Sequence, residues 1–194
     1  MAARGDLRFL LAERRGSAVA QEFGLDSFPI EPRRIAVAKE ILVEGKDLSG
    51  CCGCLIRHGD MFAIAYSTRL ANEGMVNFTI AHELGHYFLD GHSEALFPDG
   101  DGIHQSIGAF QSHDPTEREA DRFAAGLLLP EKLFRKAIDK HEGGLAGVKA
   151  LHELCGTSLT ATAIRYATMA ENPVAVVVAR DGKVDYCFMS EPLR

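Results

Sequence analysis

Residues 81–92 read AHELGHYFLDGH, and the rest of the chain can be interpreted outward from this stretch. His82 and His86 are four residues apart, so a helix places both imidazoles on one face, about one turn from each other. Two imidazoles at this separation can bind one tetrahedral zinc ion, and Glu83 lies beside them as a candidate general base for water on that ion. The alternative is a buried helix with chance histidines. The surrounding apolar stripe predicts a buried helix whose histidines face a cleft.

One candidate for a third ligand follows directly in the sequence. His92 stands ten residues after His82, which is the spacing of metzincins. Those proteins need a glycine three residues after the second histidine to turn the chain back onto the metal, and this chain has Leu89 there. Gly91 comes too late to make the same turn. His92 is therefore the second choice.

The favoured third ligand lies in residues 115–130, PTEREADRFAAGLLLP, which predict a second helix. At about 100° per residue, Glu117 falls within its apolar face and Glu119 falls near the boundary of that face. Asp121, one turn past Glu117, points inward at the edge and could orient a ligand histidine. Since a carboxylate on a buried face is costly without compensation, Glu117 is favoured as a ligand. Capping of its own helix remains the alternative for Glu117.

The other histidines are interpreted as solvated or hydrogen-bonded side chains: His58, His104, His113, His141 and His152. His104 and His113 belong to segment 90–115, which is predicted to be a long loop that borders the cleft and gates the substrate. Its apolar residues could form a lid or receive an apolar side chain of the substrate: Phe97, Ile103, Ile107 and Phe110. The alternative is an insertion packed on the outside of the protein.

Periodicity and turn residues predict a mixed helix and strand architecture. The predicted helices cover about 5–24, 33–39, 72–89, 115–129, 131–140, 145–155 and 158–170. The predicted strands cover 40–43, 54–57 and 61–66, with a hairpin turn at 58–60, and a C-terminal hairpin joins 174–179 to 183–189. The 194 residues are expected to form one domain.

Composition bears on whether the protein binds nucleic acid, spans a membrane or is exported. The chain is 46% hydrophobic and carries a net charge of −6, which argues against bulk affinity for nucleic acid or an anionic membrane. No apolar run is long enough to span a membrane, and the stretch Phe9–Ala12 is too short for an export signal. A cytoplasmic protein is expected.

The cysteines are expected to be reduced, because their number is odd, at five, and no export signal is found. Three of them cluster in CCGC at residues 51–54. A structural zinc site usually needs two spaced pairs of ligands, and no second pair is present. The cluster is therefore interpreted as a glycine-containing turn that enters a strand, rather than as a metal or redox site.

AHELGH at 81–86 together with EREADRFAAGLLLP at 117–130 resembles the ImmA/IrrE family of metallopeptidases, and the likeness extends over most of the chain. The resemblance implies an α+β fold with a thermolysin-like zincin core and a small sheet in residues 1–130. A helical part, 131–172, and a β-hairpin, 173–194, would follow. It also implies a zinc metalloendopeptidase in which His82, His86 and Glu117 hold zinc and Glu83 is the general base.

The resemblance further implies a partner, because members of the family typically cleave or inactivate a helix-turn-helix repressor and so release stress or mobile-element genes. A zincin-fold module that sequesters a regulator without proteolysis is the alternative, although the intact Glu83 favours the enzyme. Residues 151–167 themselves loosely resemble a helix-turn-helix, with Gly156 at the turn. Arg165 is the only basic residue after that turn, so helical packing is favoured over direct contact with nucleic acid.

Overall fold

The structure is a computed structural model that describes residues 2–106, 112, 114–141 and 143–193. Its helices are α1 (Ala2–Glu22), α2 (Pro32–Ala38), α3 (Glu73–Phe88), α4 (His92–Leu96), α5 (Pro115–Leu128), α6 (Glu131–Ile138), α7 (Gly144–Cys155), α8 (Leu159–Met169) and a short 3-10 helix (Glu191–Leu193). Its strands are β1 (Leu42–Lys46), β2 (Gly53–His58), β3 (Met61–Ser67), β4 (Gly102–Ser106), β5 (Ala175–Arg180) and β6 (Lys183–Met189). The predicted α+β class is confirmed.

A four-stranded sheet with the order β1-β3-β2-β4 supports α3. β1 runs parallel to β3, whereas β2 runs antiparallel to both β3 and β4. The predicted hairpin between β2 and β3 is confirmed, and Gly59 adopts a positive φ of 59° in its turn. β1 begins two residues later than predicted, because Glu40 adopts a φ of 57° and the amide of Ile41 still bonds the carbonyl of Ala36 at the end of α2.

The prediction of an unbroken loop over residues 90–115 is wrong. The segment contains α4 and then β4, which pairs with β2 along its whole length. Phe97 is 3% exposed and packs against Phe62 in the core, so it is not part of a lid, whereas Ile103 is 65% exposed. Ile107, Phe110 and His113 lie outside the described residues.

The two helices that carry the candidate ligands pack closely against each other. Gly85 of α3 faces Ala120 of α5, where an added Cβ would lie 3.1 Å from the Ala120 Cα. The apolar stripe predicted for α5 is buried, with Ala120, Phe123 and Leu127 at 0% exposure. This stripe turns the first two turns of α5 towards the histidines of α3.

The C-terminal helices α7 and α8 meet at Gly156, whose φ of 64° ends α7. Arg165 on α8 is 5% exposed, donates a hydrogen bond to the carbonyl of Leu129 and pairs with Glu13 of α1. It is therefore used for packing rather than presented to solvent. Within the described part of the chain, no helix has both the length and the apolar character needed to cross a membrane.

Candidate metal centre

Three side chains from α3 and α5 converge on one point. The Nε2 atoms of His82 and His86 lie 3.1 Å apart. The carboxylate of Glu117 reaches both, with Oε2 3.3 Å from His82 Nε2 and Oε1 3.2 Å from His86 Nε2. Ligand atoms around a tetrahedral zinc ion are separated by roughly 3.4 Å, so this set is suited to share one cation. Among the described residues, this is the group of three whose spacing could hold a metal ion.

The outer nitrogen of each histidine is also held. His82 Nδ1 lies 2.9 Å from Oδ1 of the buried Asp121, and His86 Nδ1 lies 3.1 Å from His92 Nδ1. Such contacts fix the tautomer and the ring orientation of metal-binding histidines. His92 therefore faces the side of His86 that points away from Glu117. It supports one of the candidate ligands and does not join the group of three.

A chain of polar contacts continues from His92 to the N-terminal helix. His92 Nε2 lies 3.3 Å from Glu119 Oε2, and Glu119 Oε1 lies 2.7 Å from Arg8 of α1. With His86 Nε2 turned to the site, its Nδ1–H donates to His92 Nδ1, and the Nε2–H of His92 then donates to Glu119. Glu119 is only 7% exposed, although the phase of α5 placed it near the boundary. Burial is tolerated here because the carboxylate is paired with Arg8.

His104 reaches the centre from the sheet. It lies on β4, and its Nε2 is 2.9 Å from Glu117 Oε1, where it donates a hydrogen bond. The sequence predicts that His104 lies near the cleft but does not indicate this contact, because residues 102–106 have the composition of a loop. Pairing of β4 with β2 is what directs His104 towards Glu117. The N-cap of α5 is Asp114, which accepts from the amide of Thr116, so the start of this helix has a cap other than Glu117.

Glu83 is completely buried beside the candidate ligands. Neither of its carboxylate oxygens has a hydrogen-bonding partner among the described residues. A Cβ added to Gly53 of β2 would lie 2.7 Å from Glu83 Oε1, so only glycine leaves space for the carboxylate. Ser106 lies beside it and lowers its pKa, although the hydroxyl falls short of hydrogen-bond geometry. Burial dominates and raises the pKa of Glu83 to about 6, with the charge of His82 opposing the rise.

The pKa values of the three candidate ligands favour one positive charge at this site. Burial lowers the pKa of His82, but hydrogen bonds to Asp121 and Glu117 outweigh it and raise the pKa to about 10. Burial lowers the pKa of His86 to about 4. Burial raises the pKa of Glu117, yet hydrogen bonds from His104, His82 and His86 hold it well below its usual range. Without a metal ion, His82 therefore keeps its second ring proton and carries a positive charge. A bound divalent cation would displace this proton.

These features define a zincin-like fold. One helix carries two histidines and a glutamate, the next long helix supplies a carboxylate, and a small sheet supports the first helix. The chain belongs to the peptidase M78 family, the IrrE N-terminal-like domain, whose model matches residues 62–165 of the 194. This confirms the family resemblance predicted from residues 81–86 and 117–130.

Comparison of structures gives the same fold. A Mycobacterium tuberculosis transcriptional regulator superposes with a TM-score of 0.57 at 15% sequence identity, covering 95% of this chain and 60% of that one. This chain thus spans less than two thirds of the regulator. A search of curated proteins returns no match.

Proposed function

We propose that this protein is a zinc-dependent endopeptidase that cleaves a helix-turn-helix transcriptional repressor. The observation that carries the proposal is the buried carboxylate of Glu83, which lies next to a three-ligand group and has no hydrogen-bonding partner among the described residues. A pure binding module gains nothing from a buried carboxylate with unmet hydrogen bonds, which costs stability. A general base, in contrast, needs a pKa near the operating pH, and about 6 meets that need. Family membership supports the peptidase class.

In this proposal each residue has a distinct task. His82, His86 and Glu117 hold zinc, which when bound supplies a Lewis acid that polarises the scissile carbonyl and makes water a nucleophile near neutral pH. Glu83 takes the proton from the attacking water and passes it to the leaving amine. Asp121 and His92 keep the two imidazoles oriented.

The repressor as substrate rests on the family resemblance. It is also in keeping with the transcriptional regulator that shares the fold, although a likeness at 15% identity extends to the fold alone. Cleavage would remove the repressor from its operator and release the genes it controls, either stress genes or genes of a mobile element. The buried Arg165 and the net charge of −6 favour a protein substrate over direct binding to nucleic acid.

The first prediction tests the general base. The zinc-loaded protein and its Glu83→Gln variant are incubated with helix-turn-helix proteins encoded beside its gene, and fragments are resolved by gel and mass spectrometry. Glu83→Gln should keep one zinc per chain and lose cleavage by at least about 100-fold, because the amide cannot accept the proton. Equal cleavage by both proteins would rule out Glu83 as the base. Tight binding by both without any cleavage would instead support a sequestering module.

A further inference from the structure

A second reactive cluster lies at the entrance to β2, in Cys51-Cys52-Gly53-Cys54. The Sγ atoms of Cys51 and Cys54 are 3.7 Å apart, within hydrogen-bonding distance for two free thiols. Cys54 is buried within the strand, whereas Cys51 is half-exposed just before it. The segment enters a strand as predicted, but Gly53 and Cys54 already belong to β2 rather than to a turn, and the two thiols of a Cys-x-x-Cys spacing lie side by side.

The geometry suits a reversible disulfide better than a metal. A disulfide requires the sulfurs to approach to about 2.05 Å, so a shift of less than 2 Å joins Cys51 and Cys54. Cys51 and Cys52 line a surface cleft of about 340 Å³, bordered also by Leu48, Arg69 and Leu70, through which a small oxidant can enter. Among the described residues, no three-ligand group includes these cysteines.

The cysteine cluster packs against Glu83 through Gly53. Gly53, which lies between the two cysteines in the sequence, packs so tightly that an added Cβ would lie 2.7 Å from Glu83 Oε1 and 2.4 Å from Thr79 Cγ2. The backbone of Cys52 accepts from the amide of Ser67 at 2.8 Å and donates to the carbonyl of Ser106 at 2.9 Å. The residue between the two cysteines in the sequence therefore lies directly against the carboxylate of Glu83.

We propose that Cys51 and Cys54 form a dithiol switch that hydrogen peroxide oxidises to a disulfide, and that the disulfide displaces Gly53 and disables Glu83. The effect on cleavage rests on the proposed function, whereas the disulfide itself does not. The switch would couple peptidase activity to the oxidation state of the surroundings.

The chemistry proceeds in two steps. The sulfur of Cys51 attacks one oxygen of the peroxide, the O–O bond breaks, and one water leaves as Cys51 becomes a sulfenic acid. The sulfur of Cys54 then attacks the Cys51 sulfur, the S–O bond breaks, and a second water leaves. Two thiols are oxidised and one peroxide is reduced to two waters. Cys51 reacts first because it is the more exposed thiol, and because burial raises the pKa of Cys54 to about 12.

Mass spectrometry of the full chain tests the disulfide without any assay of activity. Trypsin cuts after Lys46 and Arg57, so residues 47–57 hold all three cysteines in one peptide. After treatment with hydrogen peroxide and alkylation of the remaining thiols, this peptide should carry a single alkyl group. Apart from the alkyl groups, its mass should be two hydrogens lower than that of the reduced peptide. Dithiothreitol should restore three alkyl groups.

The matched variants are Cys51→Ser and Cys52→Ser, which remove one thiol each from the same turn. Cys52→Ser should still form the disulfide, and Cys51→Ser should not. A disulfide that persists in Cys51→Ser, or peroxide treatment that leaves only sulfinic or sulfonic acid on the wild-type peptide, would overturn the proposal.

Cleavage of the repressor is then measured on the same samples. Oxidation should slow cleavage by about tenfold or more in the wild type and in Cys52→Ser, because small displacements of a catalytic group are costly. Cys51→Ser should keep its reduced-state rate after the same treatment. If the disulfide forms and cleavage is unchanged, the link to Glu83 is wrong. If reduced protein cleaves nothing, the proposed function fails while the mass spectrum still decides the disulfide.

Discussion

Glu83 shows how a single side chain can be unfavourable for stability and suited to chemistry. Gly53 and the neighbouring strands enclose it completely, and no hydrogen bond from the described residues compensates its charge. The pKa of Glu83 is raised for the same reason, since burial favours the neutral acid. Residues held in this way are common at sites where activity and stability conflict.

We predict that Glu83→Gln stabilises the chelator-treated protein at neutral pH. The folded pKa of about 6 exceeds the ordinary 4.5, so the contribution of Glu83 to stability is fully present below pH 4.5 and is lost as the pH rises through about 6. The glutamine stays neutral, and the variant should gain up to about 2 kcal/mol at pH 7 and little at pH 4. Urea unfolding with EDTA at both pH values measures this. A difference in unfolding free energy that is the same at pH 4 and pH 7 would contradict it.

Asp121 lies 2.9 Å from His82 Nδ1 and would act on a bound metal ion through this histidine. We predict that Asp121→Asn weakens zinc binding by about 10- to 100-fold, because an amide orients the imidazole without its negative charge. Competition with a chromophoric chelator gives the affinity. Asp139→Asn, at an exposed aspartate on the C-cap of α6, is the control and should bind zinc like the wild type. Equal affinities for all three proteins would show that Asp121 does not support the site.

The approach of α1 to α5 depends on a pair of glycines. A Cβ at Gly126 would lie 2.0 Å from the carbonyl oxygen of Glu13, and one at Gly16 would lie 2.1 Å from that of Phe123. Ser17 adds a hydrogen bond to the carbonyl of Gly126. Backbone therefore contacts backbone at this crossing, which brings Arg8 of α1 within reach of Glu119.

We predict that Gly126→Ala destabilises the protein by about 2 kcal/mol. The helices must separate to admit the methyl group, which costs about 3 kcal/mol, and the gain in helix propensity offsets about 1 kcal/mol of that cost. Chemical denaturation measures the change. Gly143→Ala is the control, because among the described residues an added Cβ there meets the Tyr166 hydroxyl alone, at 3.7 Å. Equal stability of the two variants would show that the crossing can relax.

The candidate metal centre joins parts of the molecule that are far apart in sequence. Its ligands come from α3 and α5, His104 comes from the sheet, and Arg8 connects it to α1. A cation shared by α3 and α5 would hold these helices together in the folded state alone. Ligands that bind only the folded state raise its stability by mass action.

We predict that zinc raises the free energy of unfolding by about 3 kcal/mol at 100-fold excess over its dissociation constant. Thermal unfolding with added zinc and with EDTA gives the difference. His82→Ala should abolish the shift. His141→Ala, which removes a histidine that hydrogen-bonds the Ala137 carbonyl and is not one of the three candidate ligands, should retain it. A shift that survives in His82→Ala would place the stabilising ion elsewhere.

The spacing of residues within single segments predicts the helices and the positions of the candidate ligands on them. The i, i+4 spacing of His82 and His86 and the phase of Glu117 are properties of contiguous residues, and a helix converts them directly into shared faces. The hairpin turn at 58–60 was likewise evident from neighbouring residues. These features, with the paired segments of residues 81–86 and 117–130, were sufficient for the fold class and the family.

Packing decides which of the nearby polar side chains reach the candidate metal centre. Gly85 against Ala120 sets how α3 meets α5, and this places Glu117 at the Nε2 atoms while His92 and Glu119 form a chain behind His86. β4 exists because β2 offers it hydrogen bonds, and a short strand with few apolar residues has no local signal of its own. The contact of Gly53 with Glu83 and that of Cys51 with Cys54 also arise only once the strands pair. Helical periodicity is encoded within a few turns of chain, whereas these contacts depend on segments that meet only in the folded protein.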